Sequence, residues 1–369
     1  MAPTFSSNRQ AAGIAALLAA ILLLPLLAGK SLLPDRDKIY KSIPWRFGGH
    51  PSFQKTIFEE KKPLDIALIG SSRIWCGIDP VYLSAKLSRS IGREAEVRTL
   101  GWNTAGFDAL YFIAKDLLEN REVKLLVVND EFNPEIGGTN PHRLASRWFR
   151  HGDNAGDLAG LGFREQTGYY ASAVLGMPRN LLSMTRSHLP VRSSPENEFS
   201  PRKLYKAEDP ELRLGALRVE ENYLHQKTAF IPFTPRVSAA PSDVVTWSAG
   251  NRERFGTSEP SAPNLQLHFA RKLANLARKH NATLLFIHFP NLEDTTNEKI
   301  LEAAIWPELL GENVEYAGVP PAALFKGMTE AEITALFSDP KHLNRNGQEY
   351  FTPVITPAII QAYHEIPGS

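Results

Sequence analysis

Three runs, Leu64–Ile69, Val123–Val128 and Thr283–His288, are short and almost wholly apolar. Such runs mark strands buried on both faces of a parallel sheet. Segments with apolar residues at helical spacing, Asp79–Ser90, Phe107–Leu118 and Leu265–His280, lie between them. Glu96–Leu100 and Asn313–Tyr316 supply two further candidate strands. The alternation predicts an α/β fold: a parallel sheet of about five strands between two helical layers, a three-layer α/β/α sandwich. In such sheets ligands bind beyond the carboxyl ends of the strands.

The pattern breaks once. Between the third and fourth strands, residues 131–263 form a stretch far longer than an ordinary connection, so it carries structure or function of its own. A lid or substrate-binding insertion and a packed helical elaboration are equally compatible with it. The His142, Arg143, Arg147, Arg150 and His151 cluster inside it reads as a solvated helix face. With 369 residues and 43% hydrophobic content the chain can bury a sizeable core. A net charge of +1 makes no case for nucleic acid as a partner. Cys76 is the single cysteine, which excludes an internal disulfide and a cysteine-based zinc site. No metal or cofactor motif stands out, so no cofactor is expected.

From Ala11 to Gly29 no residue is charged. As a helix this run reaches roughly 28 Å, close to the hydrocarbon thickness of a bilayer. The organisation expected is therefore a short tail over 1–10, a transmembrane anchor over 11–29, a juxtamembrane linker over 30–63 and one domain over 64–369. A cleaved signal peptide fits less well, because Leu27 before Gly29 departs from the small-x-small pattern of a cleavage site. A buried helix is the third option. Arg9 before the run and Lys30, Arg36, Lys38 and Lys41 after it leave orientation open, since long folded domains translocate largely regardless of charge.

Two polar motifs fall at the ends of this framework. Gly70-Ser71-Ser72 follows the first strand, and Asp339-Pro-Lys-His342 precedes the last helical segment. A serine hydroxyl becomes a nucleophile when an imidazole takes its proton and a carboxylate orients that imidazole. Ser72, His342 and Asp339 are the residue types required, in a loop setting where a backbone bend brings acid and imidazole to one face. Read alone, Gly70-Ser71-Ser72 is also a turn with a helix cap, and the second motif is a turn capped by Asp339 with His342 on the surface. Arg73 reads as a solvent-facing helix residue, and His288 as a structural residue at a strand end.

The set resembles the SGNH (GDSL-like) hydrolase superfamily, and within it a membrane-attached branch that includes alginate O-acetylation and D-alanyl-lipoteichoic acid transfer proteins. The resemblance rests on Ile69-Gly-Ser-Ser-Arg73, Gly77-Ile-Asp-Pro80, Leu100-Gly-Trp-Asn-Thr-Ala-Gly106 and Asp339-Pro-Lys-His342-Leu-Asn-Arg-Asn-Gly347, over roughly residues 64–130 and 264–365. It implies Ser72 as nucleophile, His342 as base and Asp339 as its orienting acid. Gly106, the Ser72 backbone and Asn129 are the oxyanion donors it implies. The chain departs from the family pattern at the third block, where Val127-Val-Asn129-Asp130 lacks the usual glycine.

The function expected on this basis is a membrane-anchored serine O-acyltransferase or esterase acting on a cell-envelope or exported polysaccharide. Its partners would be an acyl-bearing carbohydrate or other acyl donor, the membrane, and a multi-pass membrane acyltransferase, with the domain outside the cytoplasm. The alternative is an inactive scaffold of the same fold that binds glycan or a partner in an export complex.

Overall fold

The computed structural model describes residues 7–27, 35–41, 53–102, 106–130, 155–172, 239–246, 264–300, 311 and 314–367. Most of their regular structure is helical, arranged around one mixed sheet. The strands are β1 (Leu64–Gly70), β2 (Val97–Gly101), β3 (Val123–Asn129), β4 (Val245–Thr246), β5 (Thr283–Ile287) and β6 (Val314–Gly318), in the order β2-β1-β3-β5-β6-β4. The first five in that order run parallel, and β4 pairs antiparallel with the outer edge of β6.

Side chains alternate across the strands, and the two sets enter two different cores. Ala67 and Ile69 of β1, Leu126 and Val128 of β3, and Leu284 and Phe286 of β5 pack with α5 (Phe107–Asn120) and α6 (Asn264–Lys279). Ile66, Leu68, Leu125, Val127, Leu285 and Ile287 face the other way. They meet α3 (Ser72–Gly77), α4 (Pro80–Ile91) and the final helix α9 (Arg345–His364), which follows the short helices α7 (Pro321–Leu324) and α8 (Glu330–Thr334). Each fully buried Leu, Ile or Phe in these layers contributes about 1.5–3 kcal/mol relative to exposure.

The fold class expected above needs correction on two counts. The sheet has six strands and is mixed, because a two-residue strand inside the long insertion adds an antiparallel edge. Two residues are too few to leave any periodic signature. The second correction concerns the N-terminus. Helix α1 (Asn8–Leu27) opens on the polar residues Asn8, Arg9 and Gln10. No helix among the described residues is long and apolar enough to cross a membrane. The transmembrane anchor, the membrane and its multi-pass acyltransferase as partners, and the localisation derived from the anchor are accordingly withdrawn.

Within 30–63, the short helix α2 (Arg36–Lys41) docks on α5. Its Arg36 guanidinium donates to Asp116 Oδ1 at 2.5 Å, and the Tyr40 hydroxyl donates to Oδ2 of the same buried carboxylate at 2.9 Å. Tyr40 and Phe53 flank the indole of Trp102, the Phe53 ring edge-on at 5.1 Å. Of the insertion, the described residues 155–172 lie against the α5–α6 layer. There Asp157 accepts from Tyr111 and Lys115, and Tyr169 packs on Phe269. The histidine and arginine cluster between 142 and 151 lies outside the described residues.

One half-buried carboxylate makes stability depend on pH. Glu315, on the α9 side of β6, has its carboxyl pushed up to about 7 by burial, with repulsion from Glu365 adding to it. A folded-state pKa above the unfolded one means the folded chain holds the proton more tightly, so stability falls as pH rises from about 4.5 through 7. Glu315→Gln removes the carboxylate. The variant is expected to melt a few degrees above the wild type near pH 8, and level with it near pH 5. After allowance for partial exposure this is about 1–2 kcal/mol, checked by thermal melts at the two pH values.

Candidate functional site

Gly70, the last residue of β1, comes so close to its neighbours that a side chain has no room. A Cβ there would lie 2.3 Å from Ile74 Cγ1 and 2.4 Å from Asn129 Oδ1. This close approach lets the chain turn from strand into α3 within two residues, and the two serines divide the work. Ser71 is the N-cap, its Oγ accepting from the Arg73 N–H at 3.3 Å. Its own N–H donates to Asn129 Oδ1 at 2.9 Å. Ser72, the first residue of α3, is left to present its hydroxyl outward.

That hydroxyl lies 2.7 Å from His342 Nε2. His342 and Asp339 were expected in a loop. They instead face each other across a tight hairpin, β7 (Phe337–Asp339) paired with β8 (His342–Leu343), with Pro340 and Lys341 as the turn. His342 Nδ1 is 2.8 and 2.7 Å from the two oxygens of Asp339. A carboxylate only accepts, so Nδ1 carries the proton and Nε2 is the bare nitrogen that accepts from the Ser72 hydroxyl. Asp339 Oδ1 also takes the backbone N–H groups of Lys341 and His342, at 2.8 and 2.9 Å. The carboxylate is thus fixed by its own turn. The imidazole and carboxylate retain 21% and 40% of their side-chain exposure, so the end of the relay is open to solvent.

The residues after His342 hold the hairpin against α3. Asn344 caps α9 by accepting from the Gly347 N–H, while its Nδ2 donates to the carbonyls of Ala335 and Phe337. Gly347 has no space for a side chain, since a Cβ would sit 2.1 Å from the Leu336 carbonyl oxygen. Gln348 donates to the carbonyls of Trp75 and Ile78, and Thr352 bridges the Gly77 carbonyl and the Asp79 N–H. The first two turns of α9 therefore clamp the helix bearing Ser72 to the hairpin bearing His342, across some 270 residues of sequence.

Arg73 differs from its expected place. It is 4% exposed, and its Nη2 donates to the Phe289 and Pro290 carbonyls at 2.7 and 2.9 Å. Carbonyls just past β5 replace water as its partners, and the guanidinium ties α3 to the sheet end. The Cys76 thiol is pushed up by burial, with Asp339 adding to the effect, so it stays protonated and offers no competing nucleophile.

Of the three expected oxyanion donors, two lie beside the serine pair. The Ser72 N–H, at the start of α3, makes no hydrogen bond among the described residues. Asn129 is 2% exposed, and because its Oδ1 must face the Ser71 N–H, its Nδ2 is the remaining donor. Gly106 is the N-cap of α5, and the side chains of Gln266 and Asp108 lie nearest to where its Cβ would stand. Residues 103–105 before it lie outside the described residues.

No family model matches the chain, and no curated protein matches it. The resemblance to the SGNH (GDSL-like) superfamily and to its membrane-attached branch is therefore not upheld. It rested on four short motifs, and residues of the first and the last have local structural jobs in this fold. Gly70 allows a close approach, Ser71 caps a helix, Asn344 caps another, and Gly347 admits a carbonyl. With the family go the polysaccharide acceptor and the role it lent to Gly106. What remains is the geometry of this chain's own residues.

Proposed function

We propose that the chain is a serine-dependent esterase or acyltransferase, with Ser72 as nucleophile, His342 as general base and acid, and Asp339 as the group that orients the imidazole. The observation that carries this reading is the 2.7 Å contact between Ser72 Oγ and His342 Nε2, with Nδ1 of the same ring on a carboxylate. In the first half-reaction Oγ attacks the acyl carbonyl while Nε2 takes the hydroxyl proton. The tetrahedral oxyanion is received by the Ser72 N–H and Asn129 Nδ2. Collapse expels the alcohol, which takes the proton from His342, and leaves an ester on Ser72. Water or a second alcohol reverses these steps and frees the serine.

A fluorophosphonate probe tests the reading, because it reacts with a serine only when that serine is activated. Wild-type protein is expected to label stoichiometrically and Ser72→Ala not at all. Equal labelling of the two would overturn it.

Asn129 separates a catalytic role from a structural one. Asn129→Asp keeps the oxygen that receives the Ser71 N–H but puts a second oxygen where Nδ2 was. The loss of one oxyanion donor is expected to lower kcat on an activated ester by about 10²–10³-fold, while KM moves little. A variant with near wild-type kcat would assign Asn129 to the turn alone.

A further inference from the structure

A second imidazole–carboxylate pair stands at the same end of the sheet, and the relay does not use it. His288 follows β5 and Asp130 follows β3; by the alternation of the strands, each turns toward the α5–α6 side, where Tyr316 of β6 also lies. Asp130 Oδ2 accepts from His288 Nδ1 at 2.9 Å and from the Tyr316 hydroxyl at 2.5 Å. Two donors on one carboxylate oxygen set the tautomer of His288: the proton is on Nδ1, and Nε2 is an acceptor. Among the described residues nothing donates to Nε2, and the side chain keeps 12% of its exposure.

We infer that His288 is an accessory binding residue of the same site, one whose Nε2 accepts a hydrogen bond from a hydroxyl group carried by the substrate at a distance from its ester. This rests on the acyl-transfer reading above. Position supports it first. The carboxyl ends of β1, β3 and β5 lie side by side, and two strand spacings place the end of β5 about 10 Å from that of β1, within the span of one small substrate. Rigidity supports it second. Asn129, beside Asp130, holds the Ser71 N–H, and Phe289 and Pro290, just after His288, hold Arg73. The anchor and the nucleophile therefore belong to one frame. Chemistry supplies the third argument. An imidazole whose one nitrogen is fixed by a buried acid and whose other is bare and reachable matches a neutral O–H donor, whereas as packing alone a buried carboxylate–imidazole pair contributes little that an apolar pair would not.

The bond-making step is unchanged by this anchor. The attacking hydroxyl loses its proton to His342 Nε2, its oxygen joins the acyl carbon, the bond to Ser72 Oγ breaks, and that proton passes to Oγ. His288 would hold the far hydroxyl of the same acceptor and exchange no proton.

The test uses p-nitrophenyl acetate as acyl donor and compares hexanol with hexanediol as acceptor, each acetylated product being quantified. The wild type is expected to favour the diol by about fivefold beyond the statistical factor, the worth of one neutral hydrogen bond. His288→Ala should bring the ratio to the statistical value while fluorophosphonate labelling of Ser72 keeps its wild-type rate. If His288→Ala fails to fold, His288→Asn, which keeps a donor for Asp130 and lacks the outer nitrogen, is read in its place. An unchanged ratio in the variant, or no diol preference in the wild type, overturns the accessory site alone. Absence of labelling in the wild type overturns the acyl-transfer reading instead.

Discussion

Ser72→Ala is expected to lower hydrolysis of an activated ester such as p-nitrophenyl acetate by at least about 10³-fold, with the loss in kcat. On the proposed reading the hydroxyl forms the covalent intermediate, and among the described residues no neighbouring group replaces it. Ser71 Oγ is engaged as a helix cap, and the Cys76 thiol is buried and protonated. What activity survives would come from the oxyanion donors acting on bound substrate and water. The fold should be indifferent to the change. Ser72 is the first residue of α3 rather than its cap, and among the described residues its hydroxyl bonds His342 alone. The melting temperature is expected within about 2 °C of the wild type. His342→Ala should match Ser72→Ala in activity, and the double variant should be no worse than either, as befits residues that act as one unit. Additive losses would show that the two act independently.

The largest effect on stability is expected from Gly347→Ala. The new Cβ would lie 2.1 Å from the Leu336 carbonyl oxygen and 2.8–2.9 Å from two side-chain atoms of Leu343. The first of these is backbone and has nowhere to go, because Leu336 also receives the Asn344 N–H. Relief requires the start of α9 to move away from the hairpin. That movement breaks the Asn344 cap and shifts His342, two residues before it. The cost is about 3–5 kcal/mol, or a melting temperature lower by roughly 10 °C. Esterase activity should fall well below that temperature, because the Ser72–His342 contact opens before the domain unfolds. Differential scanning calorimetry and an ester assay at a temperature where the variant is still folded check the two halves. A variant with wild-type melting would mean that the junction of hairpin and α9 is not under the close packing described.

These two residues show what could be read from the chain and what could not. The runs that became β1, β3 and β5 are legible because strands buried on both faces need apolar side chains at every position. Ser72, His342 and Asp339 are legible as residue types, since few combinations other than an acid, an imidazole and a hydroxyl perform this proton transfer. Their meeting is not legible. It depends on Gln348 and Thr352 of α9 binding carbonyls and an N–H of α3 and the turn after it. Long-range hydrogen bonds of this kind leave no periodic trace.

Helix α9 itself is obscured by Pro353 and Pro357, which ordinarily end a helix but are carried inside this one. Arg73 was misplaced for a related reason. A charged residue beside a strand end is assigned to solvent by default, and its partners are carbonyls more than two hundred positions away. The short motifs around Gly70 and Gly347 suggested a family. Their local geometry accounts for them without one, because close backbone approach demands glycine wherever it occurs.

Trapping the acyl-enzyme tests the central claim most directly. Protein mixed with p-nitrophenyl acetate, quenched in acid within the first turnovers and digested, is analysed by mass spectrometry for the acetylated peptide. The acetyl group is expected on Ser72 in the wild type, at close to one per chain, and absent in His342→Ala. Acetyl carried by another residue, or by Ser72 equally in both proteins, would contradict a serine activated by His342 and Asp339.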